Sequence, residues 1–320
     1  MENKPTAITI QNFTTESGAF YATLNLNFQV FGLPLHAAPI VLVNHALTGN
    51  SQVIGEFGWW NDLVGNGKTI DTAKYTILAF DVPGNGFDGC SIENYRDFTA
   101  RDVARIFVAG IQVLDIQQLH TIIGGSVGGG IAWEMVVLQP KITLHLIPIA
   151  TDWKATDWLI ANCFLQDQIL NNSSKPIADA RIHAMLCYRT PESFAAKFER
   201  TINDEVAIFN VESWLVHHGT KLQKRFQLSS YKLMNQLLRT IDITRNSVSF
   251  EALTAEIEAD IHIIGIDSDL FFTPSENRAT YQELKKYKNN VSYQEIVSIH
   301  GHDAFLIEYK QLHNLLKGIF

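Results

Sequence analysis

The chain has 320 residues and a formal net charge of −8, from 25 Lys and Arg against 33 Asp and Glu residues. This acidic balance argues against a general nucleic-acid-binding protein, which needs a basic surface. A hydrophobic content of 46% excludes a disordered chain. The three cysteines, Cys90, Cys163 and Cys187, form no CxxC pair, so we expect reduced thiols rather than a zinc site or a disulfide framework.

The sequence has no apolar run long enough for a transmembrane helix, and its first residues lack the apolar block of a signal peptide. We therefore expect a cytoplasmic protein that does not associate with membranes.

The predicted elements begin with strands over 6–31, where polar and apolar residues alternate as in a half-buried antiparallel hairpin. Short, almost wholly apolar runs follow, which are typical of strands inside a parallel sheet: 40–43, 75–80, 120–123, 145–149 and 261–266. Helical patterns cover 100–115 and 128–139, and a final helix is expected over about 303–318. Alternating strands and helices predict an α/β fold with a mostly parallel, doubly wound sheet.

Residues 151–258 interrupt this alternation. They contain long helical patterns and no convincing parallel strand; the patterns cover 153–170, 176–189 and 219–240. The sequence therefore predicts one α/β core formed by 1–150 and 259–320, with 151–258 as a helical cap inserted between two core strands. A separate helical domain without a role in the chemistry is the alternative. The return to core strands near residue 260 favours the cap.

A G-x-S-x-G motif at 124–128 directly follows an apolar strand and opens a helical pattern. This is the context of a nucleophile elbow, in which the serine occupies a strained strand-to-helix turn and small neighbours avoid collisions. A glycine-rich phosphate-binding turn is the alternative, but no Walker lysine follows and G-x-G-x-x-G is absent. The motif therefore predicts Ser126 as a nucleophile.

A catalytic serine on such an elbow needs a base and an orienting acid, which follow it in the order Ser, acid, His. Asp267 and Asp269 both come directly after the strand 261–266, and His300 and His302 both precede the last helix. Position alone does not separate the members of either pair. A metal site at His-x-His is disfavoured because no third ligand has a suitable spacing, so no metal is expected.

The developing negative charge of an acyl-transfer reaction needs backbone donors. One is expected from the residue after the serine, Val127, and a second from the loop 44–50 that follows the first core strand.

At these residues the sequence resembles the homoserine O-acetyltransferases, which are acyltransferases of the α/β-hydrolase fold that act in methionine biosynthesis. The matching segments run in order through nearly the whole chain: 45–49, 58–60, 67–72, 99–102, 124–129, 180–181, 188–189, 267–269 and 301–306. The resemblance implies Asp269 as the acid and His302 as the base for Ser126. It also implies Leu47 and Val127 as the oxyanion-hole amides.

The resemblance further implies that Arg181, Tyr188 and Asp303 bind the acyl acceptor. Arg181 and Tyr188 are seven residues apart, which is two helical turns, so they share a helix face. A guanidinium can bind an amino-acid carboxylate in bidentate fashion. Asp303 would hold the amino group and so bring the hydroxyl of the acceptor near His302.

The predicted reaction is acyl transfer from an acyl-CoA, with acetyl-CoA the favoured donor, to L-homoserine by a ping-pong mechanism. No bound cofactor is expected, since acyl-CoA is a co-substrate, and the resemblance implies a homodimer with small-molecule substrates. Three alternatives remain: an esterase or thioesterase that uses water, an acyltransferase for succinyl-CoA or serine, and a non-catalytic binding protein. Lys221, Lys224 and Arg225 are expected to form a solvated helix face rather than a contact for CoA phosphates.

Overall fold

A computed structural model describes residues 6–245 and 248–320. Eight strands form one sheet in the order β1-β2-β4-β3-β5-β6-β7-β8. Their bounds are Thr6–Thr14 (β1), Phe20–Gly32 (β2), Ile40–Asn44 (β3), Thr76–Phe80 (β4), Leu119–Gly125 (β5), Thr143–Ile149 (β6), Asp260–Ile266 (β7) and Val291–Ile296 (β8). β2 pairs antiparallel with both β1 and β4, whereas all pairs among β3 to β8 are parallel. The predicted α/β fold with a mostly parallel sheet is confirmed.

The sheet is covered by helices on both faces. α1 (Ala100–Val113) and α2 (Val127–Leu138) pack on one face, and α10 (Tyr309–Leu316) packs on the other. α1 begins at a capping box, in which the side chains of Thr99 and Asp102 each accept a hydrogen bond from the backbone of the other. Because both faces are covered, every residue of β3 and β4 is buried, which explains why these strands show no polar alternation.

The chain between β6 and β7, which includes the predicted cap 151–258, is also mostly helical. Its helices are α3 (Asp157–Asn172), α4 (Pro176–Tyr188), α5 (Pro191–Phe198), α6 (Asn210–Arg225), α7 (Leu228–Arg239) and α8 (Phe250–Ala255); α9 (Pro274–Leu284) follows β7. Residues 246–247 of the predicted cap and 1–5 of the predicted core lie outside the described residues. In the described parts of the chain, no helix is both apolar enough and long enough to cross a bilayer.

The remaining elements are short. Two pairs of two-residue strands join Val64–Gly65 to Ile70–Asp71 and Ile202–Asn203 to Ile208–Phe209. Two 3-10 helices cover Tyr95–Asp97 and Gly301–Leu306.

Two predicted helices are wrong in their extent. The pattern over 219–240 is split, because α6 ends at Arg225 and α7 begins at Leu228. The two helices have different neighbours: α6 packs against α4, where Gly219 approaches Ala178, while α7 packs against α3. The chain therefore has to turn between them.

The predicted final helix over 303–318 is also split, into the 3-10 helix Gly301–Leu306 and α10. In a 3-10 helix, residues three apart lie directly above one another. His302 and Phe305 are therefore on the same side, with ring centroids 5.9 Å apart. The tighter helix is what orients both rings toward the end of β5.

Candidate active site

Ser126 occupies the turn between β5 and α2 with φ 56° and ψ −128°, a strained conformation for a residue with a side chain. The flanking glycines allow this turn. A Cβ atom on Gly124 would lie 2.6 Å from the carbonyl carbon of Gly128, and one on Gly128 would lie 2.5 Å from the carbonyl oxygen of Asn44. The elbow, the start of α2 and the end of β3 therefore touch through their backbones.

Three side chains predicted to act together are joined by hydrogen bonds. His302 Nε2 lies 3.0 Å from Ser126 Oγ, and His302 Nδ1 lies 2.8 Å from Asp269 Oδ2. All three residues are buried. With the hydrogen on Nδ1 donated to the carboxylate, Nε2 is the acceptor for the serine hydroxyl. This arrangement can withdraw a proton from Ser126 as its oxygen attacks a carbonyl.

The two rival positions have other partners. Asp267 Oδ1 accepts a hydrogen bond from the backbone amide of Ser298 at 2.9 Å. His300 Nδ1 lies 3.1 Å from Ser193 Oγ and 3.4 Å from Arg189 Nη1. The structure thus brings Asp269 and His302, rather than Asp267 and His300, to the serine.

Aromatic rings enclose the imidazole of His302. Their centroids lie 5.3 Å (Tyr188), 5.1 Å (Phe271), 5.8 Å (Phe272) and 5.9 Å (Phe305) from that of the imidazole. Such an apolar shell strengthens the electrostatic interactions inside it and keeps bulk water away from the base.

The loop after β3 carries Leu47, whose side chain is buried, as is that of Val127 on the elbow. His45 fixes the start of this loop. Its Nε2 accepts a hydrogen bond from the backbone amide of Val82 at 3.1 Å, so Nδ1 carries the hydrogen and donates it to the carbonyl oxygen of Ala46 at 2.8 Å. Burial lowers the pKa of His45, which keeps this ring neutral.

The other side of the loop is held by the predicted cap. Arg225, at the end of α6, donates a hydrogen bond from Nη1 to the carbonyl oxygen of Thr48 at 3.1 Å. Partial desolvation and the charge of Arg181 lower the pKa of Arg225. The residue after Leu47 is therefore joined directly to a helix outside the sheet.

Comparisons with known proteins identify the family of the chain. Residues 39–309 match the α/β hydrolase fold family. The homoserine O-acetyltransferase of Cyclobacterium marinum is 30% identical over 95% of this chain and 92% of its own length. The chain belongs to the homoserine O-acetyltransferase family. The resemblance stated from the sequence, and the acyltransferase class that it implied, are thereby confirmed.

Solved structures show the same fold. The homoserine O-acetyltransferase of Staphylococcus aureus aligns with a TM-score of 0.85 and 26% identity, covering 99% of this chain and 95% of that chain. Esterase E22 aligns with a TM-score of 0.87 at 17% identity, covering 99% of both chains. At that identity the second comparison describes the fold alone.

The three residues that the family resemblance connects with the acceptor lie beside the triad. The guanidinium carbon of Arg181 is 5.7 Å from the ring centroid of Tyr188, which is itself packed on His302. Burial raises the pKa of Tyr188 well above its ordinary value, so its hydroxyl stays protonated and can donate. Arg181 lowers that pKa and Asp303 raises it, which places both charges within electrostatic range of this hydroxyl.

Asp303 has a partner that sequence reasoning did not single out. Its Oδ2 accepts a charge-assisted hydrogen bond from Arg189 Nε at 2.9 Å. Arg189 adjoins Tyr188 in one of the matching segments. That position was the only feature of the sequence that could have drawn attention to Arg189. Lys221, Lys224 and Arg225 are exposed, as expected of a solvated helix face, but nothing local in the sequence indicated the hydrogen bond from Arg225 to Thr48.

Positive charges lie near the residues that the family resemblance connects with the acceptor. Burial, followed by the charges of Arg181, His217 and Lys221, lowers the pKa of His218 to about 4. Arg181 and Lys221 thus form a cationic rim beside His218 in a chain whose net charge is −8.

Proposed function

We propose that this protein transfers an acetyl group from acetyl-CoA to the side-chain hydroxyl of L-homoserine, a reaction of methionine biosynthesis. The observation that carries the proposal is the similarity along nearly the whole chain to proteins named homoserine O-acetyltransferase. The hydrogen-bonded Ser126, His302 and Asp269 support it, because they have the geometry that acyl transfer through an acyl-enzyme requires.

In the first half-reaction, Ser126 Oγ attacks the thioester carbonyl while His302 Nε2 accepts the hydroxyl proton. The backbone amides of Leu47 and Val127 donate hydrogen bonds to the tetrahedral oxyanion. The intermediate then breaks its carbon–sulfur bond, and His302 returns its proton to the departing CoA thiolate. The product is acetyl-Ser126, and Asp269 stabilises the imidazolium that forms in between.

In the second half-reaction, L-homoserine takes the place of CoA. Arg181 binds its carboxylate, Asp303 binds its ammonium group, and the hydroxyl of Tyr188 donates a hydrogen bond to the substrate. His302 deprotonates the γ-hydroxyl, whose oxygen attacks the acetyl carbonyl. Ser126 then leaves and recovers the proton from His302, which regenerates the free enzyme.

An acyl-CoA donor is consistent with the charge distribution. CoA carries several phosphate charges, and a cationic rim raises the local concentration of such a ligand. Because Arg181 is assigned to the acceptor, the residue of this rim that acts on CoA is Lys221, which is exposed on α6 and attracts the phosphates through its charge without a direct contact. Succinyl-CoA carries the same phosphates, so the rim does not decide between acyl groups.

Hydrolysis by the same triad is the competing function. The observation that favours it is the fold that this chain shares with esterase E22. Transfer requires that water be excluded from acetyl-Ser126. The helices over 151–258 serve this purpose as a cap.

The deciding experiment measures CoA release from acetyl-CoA and from succinyl-CoA, each with homoserine, with serine or in buffer alone. The proposal predicts that release from acetyl-CoA depends on homoserine and that intact-mass analysis finds one acetyl group on Ser126. The same release in buffer alone would identify a thioesterase. A higher rate with succinyl-CoA or serine would change the substrate and keep the mechanism.

The acceptor site has its own test. Arg181→Ala should raise the KM for homoserine strongly and leave the rate of acetyl-Ser126 formation nearly unchanged. Lys175→Ala is the control, because Lys175 is exposed at the start of the same helix. Equal losses in both half-reactions would remove Arg181 from the acceptor site.

We further propose that the protein works as a cytoplasmic homodimer, with small-molecule substrates and without nucleic-acid or membrane partners. Large apolar side chains on the cap helices are exposed, among them Trp158, Phe164, Leu165 and Leu186, as expected for a surface that is covered by a second copy. Light scattering coupled to size-exclusion chromatography measures the mass, and a monomeric mass would contradict the proposal.

A further inference from the structure

A second cluster of chemically capable side chains lies at the amino-terminal ends of β6 and β7, at the opposite edge of the sheet from Ser126. It consists of His145, Asp260 and His262, and we call it the histidine cluster. His145 Nδ1 is 3.3 Å from His262 Nε2 and 3.8 Å from Asp260 Oδ2. Within residues 6–245 and 248–320, these are the three side chains whose potential ligand atoms come within 4.8 Å of one another.

We propose that the histidine cluster binds a divalent transition-metal ion of the Zn²⁺ type. Two imidazole nitrogens bound at about 2.0–2.1 Å to one tetrahedral ion lie about 3.3 Å apart, which is the separation found between His145 and His262. The carboxylate of Asp260 supplies a third ligand. Imidazole nitrogens favour zinc, copper or nickel over calcium and magnesium, which prefer oxygen ligands.

The surroundings of His262 prepare it for this role. Its Nδ1 lies 3.0 Å from Ser292 Oγ on β8, and that hydroxyl donates to the carbonyl oxygen of Ile261. Ser292 therefore accepts the Nδ1 hydrogen, which leaves the lone pair of His262 Nε2 directed toward His145. Such an outer hydrogen bond fixes the ring and its tautomer in metal sites.

The backbone holds the ligands rigidly. His145 and Asp260 are direct partners in the parallel pairing of β6 and β7, and His262 is paired with Ser292 of β8. Sites on paired strands are more accurately positioned than sites on loops. The side chain of Asp260 is 52% exposed, so it can rotate toward an ion, and water can fill the open coordination position.

Without an ion, His145 and His262 share a hydrogen, with the Nδ1–H of His145 donating to Nε2 of His262. Metal binding replaces this hydrogen bond, and His145 then carries its hydrogen on Nε2, so no net proton has to leave.

Calorimetry and equilibrium dialysis with Zn²⁺ test the proposal on the full chain. His262→Gln should weaken the binding of one Zn²⁺ by more than tenfold, and Ser292→Ala should weaken it roughly tenfold by freeing the ring of His262. His120→Gln is the matched control, because its ring centroid is 5.1 Å from that of His145 while its Nδ1 pairs with Thr121 Oγ1. This control should bind Zn²⁺ like the unchanged protein.

Additional measurements separate the histidine cluster from other zinc-binding groups. Saturating Zn²⁺ should raise the Tm of the unchanged protein, since the ion joins two strands, but not the Tm of His262→Gln. Circular dichroism and the acyl-transfer rate without Zn²⁺ should be the same for both, because the cluster lies far from the triad. Co²⁺ should give a visible absorption band that disappears in the same variant.

Three results would overturn the proposal. One is no Zn²⁺ binding tighter than about 1 mM in the unchanged protein. Another is an equal affinity in His262→Gln, which would assign the ion to other residues. The third is a loss in His120→Gln as large as in His262→Gln, which would contradict the ligand set.

Discussion

Asp269 accepts a hydrogen bond from His302, with Oδ2 2.8 Å from Nδ1, although 33 positions separate the two residues. Its other oxygen, Oδ1, accepts hydrogen bonds from the backbone amides of Phe271 at 2.7 Å and Phe272 at 3.0 Å. The carboxylate is thus fixed at both oxygens. It holds the imidazole in the tautomer that presents Nε2 to Ser126.

Asp269→Asn should reduce the rate of acyl-enzyme formation by about 10⁴-fold, because an amide group can turn its NH₂ toward His302 and stabilise the wrong tautomer. Asp267→Asn is the matched control on the same loop, since Asp267 Oδ1 accepts a hydrogen bond from the amide of Ser298, which follows β8, rather than from His302. Stopped-flow or quenched-flow measurement with acetyl-CoA gives both rates. Similar losses in the two variants would contradict a specific role for Asp269.

Arg225→Gln tests the link between the predicted cap and the oxyanion loop. Loss of the hydrogen bond to Thr48 should let Leu47 shift, and we expect kcat to fall roughly ten- to hundredfold with little change in the KM for acetyl-CoA. Lys224→Gln, one residue earlier on the exposed surface, should behave like the unchanged protein. A rise in KM at constant kcat would instead indicate that Arg225 contacts the donor.

Local patterns in the sequence were sufficient for the fold. A buried parallel strand is apolar on both faces, and the nucleophile elbow needs glycines at fixed positions, so β3 to β7 and the turn at Ser126 could be predicted from short segments. The helix boundaries near 226 and 307 could not, because they depend on which neighbour each helix packs against.

Contacts between residues that are distant in the chain could not be predicted from local sequence patterns. The two aspartates after β7 are equivalent in sequence, and only the fold turns Asp269 toward His302. The bonds from Arg189 to Asp303 and from Arg225 to Thr48 join residues 114 and 177 positions apart. The family resemblance supplied the choice of acid and base, but it gave no geometry for these contacts.

The buried carboxyl group of Asp152 should make the free energy of unfolding depend on pH. Its carboxylate is buried, Oδ1 accepts hydrogen bonds from Thr280 Oγ1 and the amide of Trp153, both at 2.8 Å, and burial raises its pKa to about 6. Between its ordinary pKa of about 3.9 and 6, the folded protein keeps a proton that the unfolded chain has lost. The free energy of unfolding therefore falls as the pH rises through this window, by up to about 3 kcal/mol from this group.

Asp152→Asn cannot ionise, so this part of the pH dependence should disappear. Urea unfolding between pH 4 and 7 should show the variant gaining stability relative to the unchanged protein as the pH rises. Asp62→Asn, an exposed position, should keep a constant difference over the same range. If the stability difference between Asp152→Asn and the unchanged protein were also constant, Asp152 would have the same pKa in the folded and unfolded states.

Replacing Glu134 should cause a large loss of stability, because this residue joins the predicted cap to the core. Its side chain is fully buried on α2, with Oε2 2.7 Å from Arg101 Nε and Oε1 paired with Arg245, which follows α7. Glu134→Ala removes the carboxylate partner of Arg101 and leaves Arg245 paired with Glu16 alone, so the free energy of unfolding should fall by about 3–5 kcal/mol in urea titrations. Glu258→Ala removes an exposed pair with Lys141 and should cost less than about 1 kcal/mol. A comparably small loss in both variants would show that the buried pairs do not stabilise the junction.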